Sequence, residues 1–357
     1  MVGDAGDERF PVRRSGPPRR CDSAGPDAIP ILLVGGFLGS GKTTLILRAA
    51  TLLRARGMRV GVILNDQDSG LVDTRLARAT GLPAREVAGG CFCCRFGDLL
   101  DSAEQLRDLD VDVIFAEPAG SCIDVSATVL QPLKALYRDR YRLAPFSVLV
   151  DSTRPHDYLV ANQVAEADLV VASKADLQPE PVPADFRVSG VTGEGVNLWL
   201  EEVLSGRRVA GSRMVDVDYD RYAAAEAELG WLNLHADVHL ADAASPAMLA
   251  GPLLDRLQES LAAIAHLKIF DRAASGYVKA AVCGIDDDPV AEGDLLADPE
   301  SSHELVINLR APADPDELHG LVMAALAEID GRVEVRYSRA FRPAYPRPEH
   351  RFTAVVA

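Results

Sequence analysis

The sequence of 357 residues lacks any uninterrupted apolar run near the ~18 residues that a membrane-spanning helix requires. Its N-terminus also lacks the apolar core of a secretory signal. Basic residues are scarce, with 37 Lys and Arg against 53 Asp and Glu, and a net charge of -16 would repel a nucleic-acid backbone. These absences predict a soluble, cytoplasmic protein whose partners are neither a membrane nor nucleic acid.

Cysteine is also sparse, but three of the six cysteines lie within four positions, at Cys91, Cys93 and Cys94. In a reducing compartment, such a cluster indicates metal or redox chemistry rather than a framework of disulfides. Three thiols in a Gly-rich loop can converge on one soft cation, such as zinc, copper(I) or cobalt, with a fourth ligand from elsewhere. Inert buried cysteines and a redox pair of Cys93 and Cys94 are the alternatives.

The length fits about two domains, and 48% apolar with 25% charged residues is an ordinary globular composition. Over residues 28–207, short β-branched runs alternate with amphipathic stretches, which predicts an α/β domain with a mostly parallel sheet. A polar segment, 208–229, is interpreted as a linker to a smaller α+β domain over 230–341. Aperiodic residues 1–27 predict a disordered tail, and Pro-rich residues 342–357 predict an extended one.

One strand predicted in the second domain, 231–240, alternates strictly between apolar and polar positions. Its polar face carries His235, Asp237 and His239, which could bind a metal or a client protein. Exposed polar alternation alone generates the same pattern, so a solvated strand face is the favoured interpretation.

Residues 36–43, GFLGSGKT, match the phosphate-loop pattern between a predicted strand, 31–34, and a helix that begins near Lys42. The glycines let backbone amides turn toward phosphate oxygens, Lys42 reaches the β and γ phosphates, and the Thr43 hydroxyl binds magnesium. The pattern and its context predict a P-loop NTPase domain. The nucleotide-binding residues predicted in this loop are Gly36, Gly39, Ser40, Gly41, Lys42, Thr43 and Thr44.

The sequence SKAD at 173–176 follows a predicted buried strand and resembles the guanine-reading motif Asn-Lys-x-Asp of P-loop GTPases, with Ser173 in place of Asn. Asp176 can accept hydrogen bonds from N1 and N2 of guanine while the Lys174 stem covers the ring, a pairing that adenine cannot satisfy. Ser189 lies in a loop that is similar to the one closing over the base in such GTPases. Together these motifs favour GTP over ATP.

The run DVIFAEPAG carries two carboxylates, Asp112 and Glu117, on the strand predicted beside the phosphate loop. Carboxylates there can hold magnesium through water or orient the attacking water. Asp112 is therefore a predicted magnesium ligand, with a surface strand cap as the alternative. Glu117 and Gly120, whose amide could sense the γ phosphate, join Lys42 as the catalytic candidates.

The motifs GFLGSGKTT at 36–44, GCFCC at 90–94, EPAG at 117–120 and SKAD at 173–176 resemble those of the CobW-like P-loop GTPases, relatives of the UreG and HypB metal-insertion GTPases. The resemblance covers residues 30–207. It implies GTP hydrolysis to GDP with magnesium, and delivery of a metal such as zinc, or metal-cofactor assembly, for a client metalloprotein. A homodimer is a candidate assembly.

In place of the family's Asn-Glu-x-Gly segment the chain has Asn65-Asp66-Gln67-Asp68, with Asp73 at the familiar offset. The resemblance implies that Asp66 is the metal-proximal carboxylate and that Asp73 approaches magnesium as part of a switch. These residues lie between the phosphate loop and the cysteines, so loss of the γ phosphate could shift the loops that hold the metal.

Two other functions remain compatible with the sequence. A P-loop ATPase or kinase acting on a small molecule predicts ATP preference and leaves the cysteines unexplained. A non-enzymatic GTP-binding metal sensor or scaffold predicts nucleotide binding without stimulated hydrolysis. Slow basal hydrolysis is expected of a GTPase too, because such enzymes often need a partner to complete the site.

Overall fold

A computed structural model of the protein describes residues 28–151, 153, 157–177, 182–284 and 287–356. The tail predicted at 1–27 lies outside the described residues. Within them, two sheets with flanking helices follow one another along the chain, and we refer to them as the N-terminal unit and the C-terminal unit. None of the helices described is both long and apolar enough to cross a membrane.

The N-terminal unit alternates strands and helices. Its strands are β1 (Ile29–Gly36), β2 (Val60–Asn65), β3 (Ala84–Val87), β4 (Val113–Glu117), β5 (Tyr141–Leu143), β6 (Ser147–Asp151), β7 (Leu169–Ser173) and β8 (Phe186–Arg187). Its helices are α1 (Lys42–Ala55), α2 (Val72–Ala79), α3 (Phe96–Arg107), α4 (Gln131–Leu136), α5 (Tyr158–Glu166), α6 (Val196–Leu204) and α7 (Tyr219–Glu226). A π-helical turn, Ser126–Leu130, precedes α4, and a 3-10 turn, Ala175–Leu177, follows β7.

Within the residues described, these strands form a parallel sheet in the order β3-β2-β4-β1-β6-β7-β8, with β5 also paired to β1. The central strands are runs of Ile, Leu and Val because apolar clusters cover both faces of the sheet. Parallel strands end at the same edge, so the loops after β1, β2 and β4 meet there. The predicted α/β fold class is confirmed.

The C-terminal unit is an antiparallel sheet with helices on one face. Its elements are β9 (Gly230–Ala244), α8 (Pro246–Ser260), β10 (His266–Ala273), β11 (Gly276–Val282), β12 (Val290–Gly293), β13 (Glu300–Ala311), α9 (Pro315–Ala327) and β14 (Gly331–Phe341). The strand order in the described part is β12-β11-β10-β13-β9-β14. Leu and Ile side chains join α8 and α9 to one face, which confirms the predicted α+β class. On the other face, Phe270 and Val306 pack against Val72 of α2.

The segment 208–229 is more than the linker that its polar composition predicts. Its helix α7 packs on the N-terminal unit, where Tyr222 is buried and the Glu226 carboxylate accepts a hydrogen bond from the Ser121 hydroxyl. In α7, Tyr222 and Glu226 are buried whereas Asp220 and Arg221 are exposed, so a segment of polar composition contains a packed amphipathic helix.

Residues 342–356 form an extended segment that runs back along the N-terminal unit. The Glu349 amide donates to the Cys93 carbonyl oxygen at 2.8 Å, and the Phe352 amide donates to the Ala127 carbonyl oxygen at 3.0 Å. The Arg347 amide also donates to the Cys94 sulfur at 3.1 Å. Residues 347–349 of this segment therefore lie beside the cysteine motif.

Glu166, at the end of α5, is a fully buried carboxyl group. One of its oxygens accepts a hydrogen bond from the Ser126 amide at 2.8 Å. Burial raises the pKa of Glu166 to about 8, and the nearby Asp124 adds to the increase, although backbone hydrogen bonds oppose it. The folded protein therefore keeps a proton on Glu166 at neutral pH.

We expect this group to make stability depend on pH. An acid with a higher pKa in the folded than in the unfolded chain binds more protons when folded, so stability falls as pH rises between the two values. From about pH 5 to pH 8, the free energy of unfolding of the wild type should fall relative to that of Glu166→Gln, by at most about 1.4 kcal/mol per pH unit. Denaturant unfolding at each pH measures this, with the exposed Glu194→Gln as control. Parallel profiles for wild type and Glu166→Gln would contradict the expectation.

Candidate functional site

The turn between β1 and α1 is shaped by glycines. Gly39 and Gly41 have φ angles of 77° and 87°, in the left-handed region that favours glycine, and Gly41 is the N-cap of α1. The first amides of α1 therefore face the mouth of the turn, where an anion binds favourably. The buried hydroxyl of Ser40 has no hydrogen-bond partner among the described residues. These features fit a cradle for phosphate groups.

Lys42, Thr43 and Glu117 meet at the mouth of this turn. The Thr43 hydroxyl donates to the Glu117 carboxylate at 2.9 Å, and the Lys42 Nζ lies 3.8 Å from the same carboxylate. Lys42 also donates to the carbonyl oxygen of Phe37 at 3.1 Å. Burial raises the pKa of Glu117 to about 7, although Lys42 opposes the increase. The sequence motif and the end of β4 thus form one polar cluster.

Oxygen ligands for magnesium are present in this cluster. Thr43 and Glu117 bring a hydroxyl and a carboxylate together, and Asp73 lines the same cavity. Hard oxygen donors of this kind are the ligands that magnesium prefers. The residues fit the ion, although the Asp73 carboxylate is paired with Lys268 of the C-terminal unit, 2.6 Å from its Nζ.

Asp112 does not belong to the magnesium site, contrary to the sequence-based prediction. It precedes β4 rather than ending it, and its carboxylate accepts from the Arg59 amide at 2.7 Å and pairs with the Arg59 guanidinium at 3.1 Å. The five residues of β4 separate it from the phosphate edge by about 16 Å. Asp112 is the surface strand cap that was the alternative.

A cavity of about 550 Å³ opens at the phosphate loop, between the two units. That volume suits a nucleotide, since ligand pockets commonly enclose ~300–1,000 Å³. The predicted site residues that line the cavity are Gly39, Gly41, Lys42, Thr43, Thr44, Asp66, Asp73, Glu117, Gly120, Ser173, Lys174 and Asp176. Gly36 lies behind the loop, where an added Cβ would come 2.7 Å from the Ser40 hydroxyl. Gly120 approaches the loop so closely that an added Cβ would meet the Leu38 side chain at 2.8 Å.

The other end of the cavity carries the residues predicted to read the base. Lys174 has a φ of 56°, and its Nζ pairs with Asp151 at 2.7 Å, so its stem lies along the cavity wall. Asp176 is exposed to the cavity from the 3-10 turn. The Ser173 hydroxyl donates to the Val150 carbonyl oxygen at 3.1 Å, which anchors the end of β7.

Ser189, predicted to bind the nucleotide, lies at the base end of the cavity but its side chain faces away from the ligand space. Its side chain is fully buried and accepts a hydrogen bond from the Thr192 amide at 3.0 Å. The neighbouring Val188, Gly190 and Val191 line the cavity instead. The predicted loop is at the cavity, but the Ser189 side chain stabilises the loop and does not face the ligand space.

The three clustered cysteines converge in the loop between β3 and α3. The Cys94 sulfur lies 3.4 Å from that of Cys91 and 3.6 Å from that of Cys93, and the sulfurs of Cys91 and Cys93 are joined. Cys91 and Cys93 are therefore the pair that oxidation would close, rather than Cys93 and Cys94. In the reduced form, three soft donors within 4.8 Å of one another fit a thiophilic cation.

Asp66 does not join the thiols as the expected fourth ligand. In the described part of the chain, the cluster of candidate ligand atoms contains the three cysteines without it. The Asp66 carboxylate pairs with the buried guanidinium of Arg310 at 2.7 Å and accepts from the Gln67 amide at 2.7 Å. The Asp66 carboxylate is thus paired with a buried arginine of the C-terminal unit. It lines the nucleotide cavity and does not contact the cysteine loop as a metal ligand.

The polar face of β9 has protein partners at each of its candidate positions. His235 lies 3.3 Å from the Glu304 carboxylate, Asp237 pairs with Arg336 at 2.7 Å, and the His239 ring is 3.1 Å from the Ser302 hydroxyl. These three side chains are not among the clustered metal-ligand groups of the described residues. The structure therefore favours a structural role for this face over a metal site.

Sequence reasoning missed the contribution of the C-terminal unit to the cavity. The lining residues that it supplies include His266, Lys268, Lys279, Asn308 and Arg310. A signal was available, because Lys268 and Lys279 each lie within a strand beside apolar residues, in HLKIF of β10 and YVKAAV of β11. A charged residue at a buried strand position usually has a partner or a ligand.

Comparison with known proteins covers the N-terminal unit best. Residues 30–189 match the family model described as CobW/HypB/UreG, nucleotide-binding domain. The chain is 31% identical over 152 residues to the zinc chaperone YeiR of Escherichia coli, covering 40% of this chain and 46% of that protein. It is 27% identical over 189 residues to the zinc chaperone CobW of Pseudomonas aeruginosa, covering 42% and 49%. The chain thus spans about half the length of the curated relatives it matches.

Among solved structures, HypB from Helicobacter pylori in complex with nickel is 18% identical. The match covers 51% of this chain and 91% of that chain, with a TM-score of 0.40. A structural similarity of this size is too low to support a conclusion about function.

Proposed function

Because residues 30–189 are a nucleotide-binding domain of the CobW/HypB/UreG family, we propose that the chain is a magnesium-dependent GTPase that couples hydrolysis to the transfer of a metal. Cys91, Cys93 and Cys94 bind the metal, and zinc is the first candidate because two curated relatives are named zinc chaperones. Residues 28–207 are the working domain, and 230–341 form a second domain. The reduced thiols that metal binding requires suit a reducing compartment such as the cytoplasm.

The position of Asn65, a buried residue at the end of β2, carries this proposal. Its Oδ1 accepts from the Phe92 amide, within the cysteine loop, at 2.9 Å and from the Ala119 amide at 3.2 Å. Its Nδ2 donates to the Gly90 carbonyl oxygen at 2.8 Å. One side chain therefore joins the loop that holds the thiols to the loop that follows Glu117, so displacement of one loop disturbs the other.

In the proposed reaction, the phosphate-loop amides and Lys42 bind the β and γ phosphates. Thr43 and Asp73 would hold magnesium, which supplies neutralisation of the phosphate charge. The Glu117 carboxylate orients the Thr43 hydroxyl and can order the attacking water, and Asp176 accepts from guanine. Hydrolysis is expected to be slow alone, because completing such a site with a partner accelerates it by about 10³ to 10⁵. The client metalloprotein that accepts the metal is a candidate for that partner.

The test is zinc affinity, measured by competition with a chromophoric chelator under reducing conditions, for wild type loaded with Mg-GTP or Mg-GDP. We expect the two affinities to differ by roughly 5- to 150-fold, the usual range for coupled sites. Zinc must then shift the ratio of GTP to GDP affinity by the same factor. Equal zinc affinities would contradict coupling and favour a sensor or scaffold. Preference for ATP over GTP would favour the ATPase or kinase.

A further inference from the structure

The segment 66–73, which joins β2 to α2, is held by the C-terminal unit along its length. At its start Asp66 pairs with Arg310 at 2.7 Å, near its end the Val72 amide donates to Asn308 at 2.8 Å, and at its end Asp73 pairs with Lys268 at 2.6 Å. Asp66 and Asp73 also line the nucleotide cavity. Any ligand that draws one of these carboxylates away must therefore disturb the contact between the two units.

Lysine is concentrated at this cavity. The sequence contains five lysines, and four of them line it: Lys42, Lys174, Lys268 and Lys279. Lysines placed for solubility would be spread over the surface, whereas a cluster of compact ammonium groups suits phosphate. Lys42 and Lys174 belong to the phosphate-loop and base motifs, so Lys268 and Lys279 are the two without a role.

Lys268 and Lys279 each form an ion pair, but their acidic partners belong to different units. Lys279 pairs at 2.6 Å with Glu292, a residue of its own sheet. The Lys268 side chain is 11% exposed, and its Nζ lies 2.6 Å from both carboxylate oxygens of Asp73, which belongs to the N-terminal unit. Of the two, Lys268 is thus the lysine that pairs with a residue of the opposing unit, and that residue could itself bind magnesium.

The electrostatics place Lys268 beside the phosphate-loop lysine. Burial lowers the pKa of Lys42, Glu117 opposes the change, and the positive charge of Lys268 lowers it further. Burial also holds the pKa of His266 well below its usual range, and the positive charges of Lys268 and Lys42 lower that pKa further. Several positive charges thus converge at the phosphate end of the cavity, which is favourable for a polyanion.

We propose that Lys268 is a nucleotide ligand supplied by the C-terminal unit, and that its ammonium exchanges the Asp73 carboxylate for the terminal phosphate of a bound nucleoside triphosphate. The inference rests on the proposed nucleotide-binding function and adds a residue and a second domain to it. A diphosphate lacks the terminal group, so it leaves the Lys268 pair with Asp73 intact. The contact between the units therefore differs between the two nucleotide states.

The exchange has a clear physical reason. A terminal phosphate offers an ammonium group more negative charge and more acceptor oxygens than one carboxylate does. Asp73, once released from Lys268, would ligate the magnesium ion that accompanies the triphosphate, and so would not be left as a buried unpaired charge. Segment 66–73 directly follows Asn65, whose side chain hydrogen-bonds Gly90 and Phe92 of the cysteine loop. A movement of the segment caused by the exchange would therefore also displace the loop that holds the thiols.

The experiment measures the dissociation constants of fluorescent GTP and GDP analogues with magnesium for wild type, Lys268→Gln, Lys268→Arg and Arg75→Ala. Arg75 is the matched control, because it pairs with Glu304 of the C-terminal unit at 2.6 Å and does not line the cavity. We expect Lys268→Gln to lose roughly 10- to 100-fold in GTP affinity, the value of a charge-assisted contact, with GDP affinity changed less than threefold. Lys268→Arg should retain most GTP affinity, and Arg75→Ala should retain the wild-type ratio.

A measurement on the wild type makes the test independent of variant folding. Reductive methylation followed by mass spectrometry reports the reactivity of each lysine, and Lys268 should be protected more by a non-hydrolysable GTP analogue than by GDP. Equal loss of GTP and GDP affinity in Lys268→Gln, the same change in Arg75→Ala, or equal protection by the two nucleotides would each overturn the proposal. If wild type binds neither nucleotide, the proposed function itself fails. Wild-type binding with an unaltered Lys268→Gln ratio rejects this inference alone.

Discussion

Replacement of Cys93 and Cys94 together by serine is expected to lower zinc affinity by roughly 10³-fold or more. Structural zinc sites contribute about 10–16 kcal/mol of binding free energy, and the loss of two of the three thiolates should remove at least about 4 kcal/mol of it. The physical reason lies in the geometry of the loop. The three sulfurs lie within 4.8 Å of one another, and serine oxygens are harder, weaker ligands that stay protonated at neutral pH. Competition with a chromophoric chelator, under reducing conditions, measures the loss.

The matched control is Cys122→Ser, which alters a buried cysteine outside the thiol cluster. It should leave zinc affinity unchanged. Because Cys91 and Cys93 form the pair that oxidation closes, oxidised wild type should also bind zinc weakly and recover when a reductant is added. Zinc binding that is equally tight in the double variant and in wild type would show that the cysteines are structural.

The second large effect is expected from Lys42→Met, which keeps an unbranched side chain one atom shorter and removes its charge. Lys42 is buried at the mouth of the phosphate loop, 3.8 Å from Glu117, where water cannot replace its contacts to phosphate. Loss of two charge-assisted hydrogen bonds predicts a drop in Mg-GTP affinity of roughly 10²- to 10⁴-fold, with hydrolysis reduced at least as much.

Calorimetric titration with a slowly hydrolysed GTP analogue measures this change. Lys134→Met is the control, because Lys134 is the one lysine of the sequence that does not line the cavity, and it donates instead to the Ala210 carbonyl oxygen. The control should bind like wild type. Unchanged GTP affinity in Lys42→Met would falsify the assignment of the phosphate loop.

The fold class and the phosphate edge were predictable because they depend on short-range patterns. Runs of Ile, Leu and Val specify strands buried on both faces, and glycines with positive φ at Gly39 and Gly41 specify the turn between β1 and α1. Three cysteines within four residues have sulfurs that a compact loop can bring together, and in this loop the sulfurs lie within 4.8 Å of one another. The prediction that Asp112 binds magnesium was wrong because Asp112 precedes the first residue of β4, and the two ends of a strand lie at opposite edges of the sheet.

The sequence by itself located the phosphate loop and the candidate guanine and metal motifs along the chain, since each motif spans a few residues and its geometry is set by local backbone conformation. The tertiary structure alone decided which charges face one another across the cavity. Asp66 meets Arg310 and Asp73 meets Lys268, partners 244 and 195 residues away, once the sheet of the C-terminal unit packs on α2. The residues next to a carboxylate in the sequence cannot predict such a distant partner, because the carboxylate pairs with whichever cation the packing of two domains brings within hydrogen-bonding distance.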